Sequence, residues 1–349
     1  MSTTPGQLGF FDLTHRYDAL SQQGDPLEAL AQHIPWPRFR KTLEKSLCRS
    51  KRLKGGRPPF DAVLMFKVLV LQALYNLSDA QMEYQIRDRL SFMRFLGLDL
   101  HQRIPDAKTI WLFRETLAQA GVVETLFTQF DTYLAQHGLQ ARGGQLIDAS
   151  LIPVPIQRNT REENAAIKAG DCPAAWDAQP AKRRQKDTEA RWTVKHGVSH
   201  YGYKNHVNVD KQHKLIRQYT VTDAAVHDSQ VLEEVLLPKT AGSDIWADAA
   251  YRSHEIETQL KTRKLRSRIQ YKGYRDKPLT TRQKASNQRR ARIRARVEHV
   301  FGHQVTAMGG KLIRTIGRVR ARAKIGLKNL TYNFQRFLVV RVPAGSQTA

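Results

Sequence analysis

Three carboxylates define the chemistry open to this sequence. Asp148 lies in Gly144-Gln145-Leu146-Ile147-Asp148-Ala149-Ser150, within an apolar, β-branched run over 145–152 that follows a Gly143-Gly144 turn signal. Such a run predicts a buried strand. A carboxylate inside one is costly unless something neutralises it, and a protein cation or a metal ion can do so. Asp248 closes Asp244-Ile245-Trp246-Ala247-Asp248, and Glu298 is the only acid in the basic stretch 292–301. Three acids, the last set among arginines, point to a magnesium-dependent enzyme acting on nucleic acid. Phosphodiester chemistry needs an activated oxygen nucleophile and a charge clamp on the leaving oxygen, and two magnesium ions held by carboxylates provide both. Each acid also has a simpler reading. Asp148 could cap a helix or pair with an arginine, Asp248 could open a turn, and Glu298 could pair with Arg294 one helical turn earlier.

The elements that must position these acids follow from the apolar patterning. Strands are predicted over 145–152, 201–209 and 215–222, the last two forming a hairpin about a turn at 210–213. A helix capped by Asp228 runs to 236, a strand covers 243–248, a helix 253–263, a strand 265–271 and a long helix 280–301. That order gives an α/β fold with a mixed sheet flanked by helices. Asp148 then sits on the first strand, Asp248 ends the fourth, and Glu298 projects from a helix packed on the sheet.

Upstream the pattern is helical. Residues 1–25 read as a loose arm. A short helix begins at Asp25-Pro26 and is broken by Pro35 and Pro37, and 38–52 is basic. Strong helices are predicted over 60–75, 79–89 and from Pro105-Asp106 through 117, with a further one over 126–134. They make an N-terminal all-α domain over 1–135, and the α/β domain spans 140–340. The joint at 76–78 suits a helix-turn-helix, and a plain packing bundle is the alternative. Arg57, in a basic Gly-Arg-Pro loop, is a candidate for the DNA minor groove, or belongs to a solvated linker. Residues 157–191 are polar, lack an apolar period and exceed an ordinary loop. They read as a mobile excursion, ordered by DNA or simply disordered.

Composition narrows the partners. The 349 residues carry a net charge of +25 with a pI near 10.3. Between 261 and 328 there are 22 lysines and arginines against Asp276 and Glu298, so most of the excess is concentrated there. Such a concentration implies a surface for phosphates. Arg290, Arg292 and Arg296 surround the Glu298 segment, and some must face solvent or phosphate. Lys204, on a strand near Asp148, is expected to touch DNA or solvent. His206 and His227 read as core or turn histidines. Cys48 and Cys172 have no zinc-site spacing and fit a reducing cytoplasm. The N-terminus lacks the pattern of a signal peptide. The most apolar run, 63–74, contains Lys67 and is too short to span a bilayer.

Taken together, Pro105-Asp106-Ala107-Lys108-Thr109-Ile110, Ile147-Asp148-Ala149-Ser150, Gly202-Tyr203-Lys204-Asn205-His206, Val226-His227-Asp228-Ser229, Ala247-Asp248-Ala249-Ala250-Tyr251 and Arg296-Val297-Glu298-His299 resemble the motifs of bacterial insertion-sequence transposases of the insertion sequence 5 family. The resemblance covers roughly 55–335. It implies an RNase H-like catalytic domain, with Asp148, Asp248 and Glu298 as an acidic triad holding two divalent ions. These would be Mg2+, with Mn2+ as a substitute. It also implies hydrolysis at the element ends followed by attack of the freed 3′-hydroxyl on target DNA, and a homodimer on inverted repeats. Of the related signature Tyr, Arg, Glu and Lys, only Arg294 and Glu298 match. Ala291 and Val305 hold the other two positions, and Lys311 is a distant substitute for the lysine. Arg294 is thereby implied as a contact to terminal phosphates. Two other readings compete: a DNA-binding descendant that no longer cuts, and a metal-dependent nuclease that does not join.

Overall fold

A computed structural model describes residues 11–47, 58–141, 143–195, 197–237 and 242–341. Among them, eight α-helices precede the first strand: α1 (Asp12–Gln22), α2 (Pro26–His33), α3 (Arg40–Ser46), α4 (Ala62–Tyr75), α5 (Asp79–Asp88), α6 (Leu90–Leu96), α7 (Ala107–Gln119) and α8 (Val122–Gln136). The most apolar run becomes α4, and side chains from all around it are buried. Asp61 starts it by accepting the Val63 and Leu64 amides, and Asn76, left-handed at φ 52°, ends it. Ser78 and Gln81 then form a reciprocal capping box that opens α5. The two helices bend by 104°, an angle that suits a helix-turn-helix. No single helix among the described residues is long and apolar enough to cross a membrane.

The second part holds β1 (Gln145–Pro153), α9 (Arg161–Ala169), α10 (Pro180–Arg184), β2 (Arg191–Lys195), β3 (Val198–Asp210), β4 (Ile216–Asp223), α11 (Leu232–Val235), β5 (Asp244–Trp246), α12 (His254–Thr262), β6 (Arg266–Ser267), α13 (Thr281–Arg294), α14 (Arg296–Thr306) and α15 (Arg318–Arg341). The sheet runs β2-β3-β1-β5-β6, with β4 also paired to β3. β1 is antiparallel to β3 and parallel to β5, so the sheet is mixed and flanked by helices, as expected.

The helix α15, which no apolar period announced, ties the two parts together. Its Phe334 ring packs against Trp36 at 5.5 Å and Phe130 at 4.7 Å, and also against Phe39 and Phe66. Its Asn329 exchanges amide hydrogen bonds with Asn205 of β3 at 2.9 and 3.1 Å. Its Asn333 accepts from the Ile216 amide and donates to the Ile216 carbonyl, completing a peptide-like pair at the start of β4. One apolar core therefore runs through the N-terminal helices, one sheet face and α15. The boundary expected near 135–140 is a change of element type and not a gap in the packing.

Several other expectations change. The N-terminal arm contains α1, held by Arg94, which donates to the Tyr17 carbonyl and the Ser21 hydroxyl. The polar stretch 157–191 carries α9 and α10, with Trp176 fully buried and its Nε1 donating to Glu163. Asp187, also buried, accepts from the Tyr203 hydroxyl and the Gly317 amide. The strand expected over 265–271 shrinks to β6, and the long helix 280–301 is broken at Ala295 into α13 and α14.

The Asn333 pair gives a direct test of the α15 tether. Asn333→Leu leaves both main-chain groups of Ile216 without their partners, so urea denaturation should show a loss of about 1–3 kcal/mol. An unchanged midpoint would mean that water replaces the amide without cost.

Candidate active site

Alternation along β1 decides which way Asp148 points. Ile147 belongs to the small core with Leu232, Ile245 and Tyr251, whereas Leu146 and Ile152 bury on the other side, towards the N-terminal helices and α15. Asp148 and Ser150 share that second face. Leu146 is in register with Trp246 of parallel β5, so two residues further on both chains bring Asp148 and Asp248 side by side. Asp248 has left the strand, which ends at Trp246, and caps the 3-10 turn Ala249–Tyr251 by accepting the Ala250 amide at 2.9 Å. Asp148 accepts the Ala149 amide at 2.9 Å. Glu298 lies in the first turn of α14, which Val297 and Val300 anchor in the core.

All three acids line one open cavity of about 800 Å3. Arg294, the last residue of α13, bridges two of them: Nη1 meets Asp148 Oδ2 at 2.5 Å and Nη2 meets Glu298 Oε1 at 3.4 Å. The simpler readings of Asp148 and Glu298 as arginine partners are thus both realised. Among the described residues, no three His, Cys, Asp or Glu side chains stand close enough to hold a metal. The donor set is nonetheless that of a hard divalent cation, carboxylate oxygens alone. Burial pushes the Asp148 carboxyl up to about 6 against the pull of Arg294 and the Ala149 amide; Asp248 adds to the rise and Lys195 opposes it. A carboxylate so placed gains by meeting added positive charge.

Basic side chains ring the cavity. Lys195 and His200 come from the β2–β3 hairpin, and Lys311 from the loop before α15. Lys311 Nζ donates to Ser150 Oγ at 2.5 Å and lies 5.1 Å over the Phe301 ring. Its loop is held by Lys328 of α15, which donates to the Met308 and Gly310 carbonyls, and by Asn76, whose Nδ2 donates to the Gly309 carbonyl at 2.8 Å. Lys195 of β2 and His200 of β3 escaped the sequence reading: Arg191–Lys195 alternates polar and apolar, but its Trp192 and Val194 face solvent and so mark no core. Lys311 did register, as a distant substitute, and the loop folds it back beside Ser150.

The other expected DNA contacts divide. Lys204 pairs in register with Leu151, on the sheet face opposite Asp148. Its ammonium is engaged by the Val226 carbonyl at 2.7 Å and Asp228 Oδ1 at 2.9 Å. Asp228 is accordingly this lysine's partner, and His227 caps the turn in its place. His206 is buried, with Nε2 2.9 Å from the Thr222 hydroxyl. Arg290 turns inward: its guanidinium lies 4.4 Å from the Tyr271 ring, matched by Arg252, and both donate to the Ile269 carbonyl. Arg296 is exposed and donates to the Lys211 carbonyl at 3.1 Å. Arg292 is exposed and has no ion pair among the described residues. Arg57 lies outside the described residues.

Two family profiles match this chain. One, described as Transposase domain (DUF772), covers residues 15–116. The other, described as Transposase DDE domain, covers residues 142–334. Among solved structures, the cryo-EM structure of the piggyBac transposase synaptic complex with hairpin DNA is similar at a TM-score of 0.46 and 13% identity, over 90% of this chain and 74% of that one.

The two arginines on α13 should separate by experiment. Arg290→Ala removes a ring stack and a charged hydrogen bond to a main-chain carbonyl, and should lower the unfolding free energy by about 1–3 kcal/mol. Arg292→Ala should leave thermal stability unchanged and weaken DNA binding only. Equal stability of the two variants would overturn this division.

Proposed function

The chain belongs to the Transposase DDE domain family, whose profile spans more than half of it, and we propose that Asp148, Asp248 and Glu298 are its catalytic acids. It is a DNA transposase, an enzyme that cuts and rejoins DNA and depends on a divalent metal. The observation that carries the assignment is convergence: three acids far apart in sequence line one cavity together with Arg294, Lys195 and Lys311.

The metal is magnesium, taken as two ions with manganese able to replace it, because every donor is a hard carboxylate oxygen. Bound there, the ions supply an activated oxygen nucleophile and a counter-charge for the leaving oxygen. The protein supplies the rest. The Ala149 and Ala250 amides each fix one oxygen of Asp148 and Asp248, which sets the direction of the other. Glu298, whose side chain is 62% exposed, is free to swing inward from α14. Arg294 exchanges its carboxylate partners for a phosphate oxygen once DNA enters, and Lys195 and Lys311 flank the strand. Water attacks the phosphodiester at the element end and releases a 3′-hydroxyl. That hydroxyl then attacks a target phosphodiester, one ester bond forming as another breaks. The substrates are the element's terminal inverted repeats and target DNA. The helices of 1–135 contribute end recognition, the RNase H-like part over 140–340 cuts and joins, and a homodimer holds two ends at once. The work is done in the cytoplasm on the nucleoid.

Asp148→Asn, Asp248→Asn and Glu298→Gln should each lower cleavage of a labelled element end by at least roughly a hundredfold while leaving end binding intact. Assays in magnesium, manganese and calcium would check metal choice, and wild-type cleavage by any of the three variants removes that acid from the assignment. Arg294→Ala should bind Mn2+ more tightly than wild type in DNA-free calorimetry, because the guanidinium no longer competes for two carboxylates, and should cleave more slowly. Unchanged or weaker Mn2+ affinity would show that arginine and metal do not share the acids.

A further inference from the structure

A second cavity, of about 660 Å3, opens between the N-terminal helices and the sheet. One wall is α7, which presents Trp111, 48% exposed. The opposite wall is the exit of β1, and α15 closes the cavity with Lys324. Four cationic side chains meet two carboxylates here. Arg114 takes Asp79 in a two-pronged pair at 2.5 and 2.7 Å, and Arg320 takes Glu115 likewise at 2.7 and 2.8 Å. That leaves Arg314 and Lys324 with no carboxylate among the described residues. Lys324 Nζ donates only to the Arg314 carbonyl, at 3.1 Å. Burial, with Arg114 and Arg314 facing it, pushes this ammonium down to about 8 although Asp79 opposes the shift. Positive charge left unbalanced, half-buried at Lys324 and exposed at Arg314, beside an exposed indole fits a ligand that alternates anions with flat rings.

The cavity is also tied to the acids. The Ile313 amide donates to the Pro153 carbonyl at 3.1 Å, so the loop and the end of β1 run as one paired track. Ser150 and Lys311 stand at its catalytic end, and Val154 and Arg314 at the other. Four extended residues span about 13 Å, which is roughly two to four nucleotides depending on how far the strand is stretched.

We propose that this cleft is a second nucleic-acid subsite, which holds the DNA strand a few nucleotides from the cut with its phosphates on Arg314 and Lys324 and a base against Trp111. The position assigned to the cut rests on Asp148 belonging to the catalytic centre; the chemistry of the cleft does not.

Binding of the full-length chain to labelled element-end duplex, measured by anisotropy across a KCl series with calcium as the metal, tests this without any cutting. Arg314→Ala with Lys324→Met should weaken binding about tenfold or more and reduce the slope of log affinity against log salt by about 1.8, since each phosphate contact contributes about 0.9. Trp111→Ala should weaken binding roughly tenfold with the slope unchanged. DNA shortened to one nucleotide beyond the cut, on one side or the other, should bind wild type and variants alike. Arg314→Ala alone alters an exposed side chain and keeps the test open if the double variant does not fold. Wild-type affinity and slope in that variant, or an equal loss on DNA shortened from either side, would overturn the subsite. Either result leaves the cleavage phenotype of Asp148→Asn untouched, so the two assignments fail separately.

Discussion

A carboxylate in the middle strand of a sheet has to be matched by positive charge, and much of this molecule follows from that requirement at Asp148. Leaving a buried charge without its partner costs about 3–5 kcal/mol. Arg294 meets Asp148 directly, and Lys195 and Lys311 enter the same cavity from a hairpin and a loop. The concentration of lysine and arginine in the last quarter of the chain therefore has two uses. It draws in a polyanion from a distance, and it makes a cluster of acids tolerable at the proposed site of cutting.

The positioning of those cations explains why the N-terminal helices and the sheet cannot be separate bodies. Lys311 reaches Ser150 because its loop is gripped from two sides, by Lys328 of α15 and by Asn76 at the end of α4. Gly309, at φ 66°, is the contact point, and a Cβ there would stand 2.8 Å from the Asn76 Cβ and 2.9 Å from the Tyr75 carbonyl oxygen. Only glycine allows that approach. The helix α15 carries the same coupling into the core, since Phe334 packs on N-terminal rings while Asn329 and Asn333 bond to strands β3 and β4. A disturbance in the helical part reaches the cavity through one loop and one helix.

The elements around the three acids were legible where each rests on a local rule. An apolar run after a glycine pair gives β1, alternation gives β3 and β4, and Ser78 and Asp106 mark helix starts by the amides they accept. What stayed hidden depends on contacts distant in sequence. The period of α15 is masked because Lys328, Asn329 and Asn333 are buried on faces that a surface helix would fill with apolar residues. The polar stretch 157–191 folds around Trp176, Glu163 and Asp187, too few anchors to make a pattern. Charge alone could not separate Arg290, spent on Tyr271 and a carbonyl, from exposed Arg292 two residues on. Nor could it foresee Lys204 turning to Asp228 on the far face.

Arg294 links these themes. In the DNA-free chain its guanidinium sits between Asp148 and Glu298, the two acids that the assigned chemistry needs for cations. The same group is among the nearest donors for a phosphate entering the cavity. A phosphate that draws Arg294 away leaves two carboxylates short of positive charge and so raises their affinity for a divalent ion. Linkage requires the converse by the same factor, so occupancy by the ion releases Arg294 towards the phosphate and tightens the hold on DNA. On the proposed assignment, the arrangement keeps Asp148 and Glu298 paired in the DNA-free chain and would couple their exposure to the arrival of substrate. An arginine one helical turn before the glutamate can do this because its fork spans both carboxylates at once, which the single ammonium of a lysine cannot match.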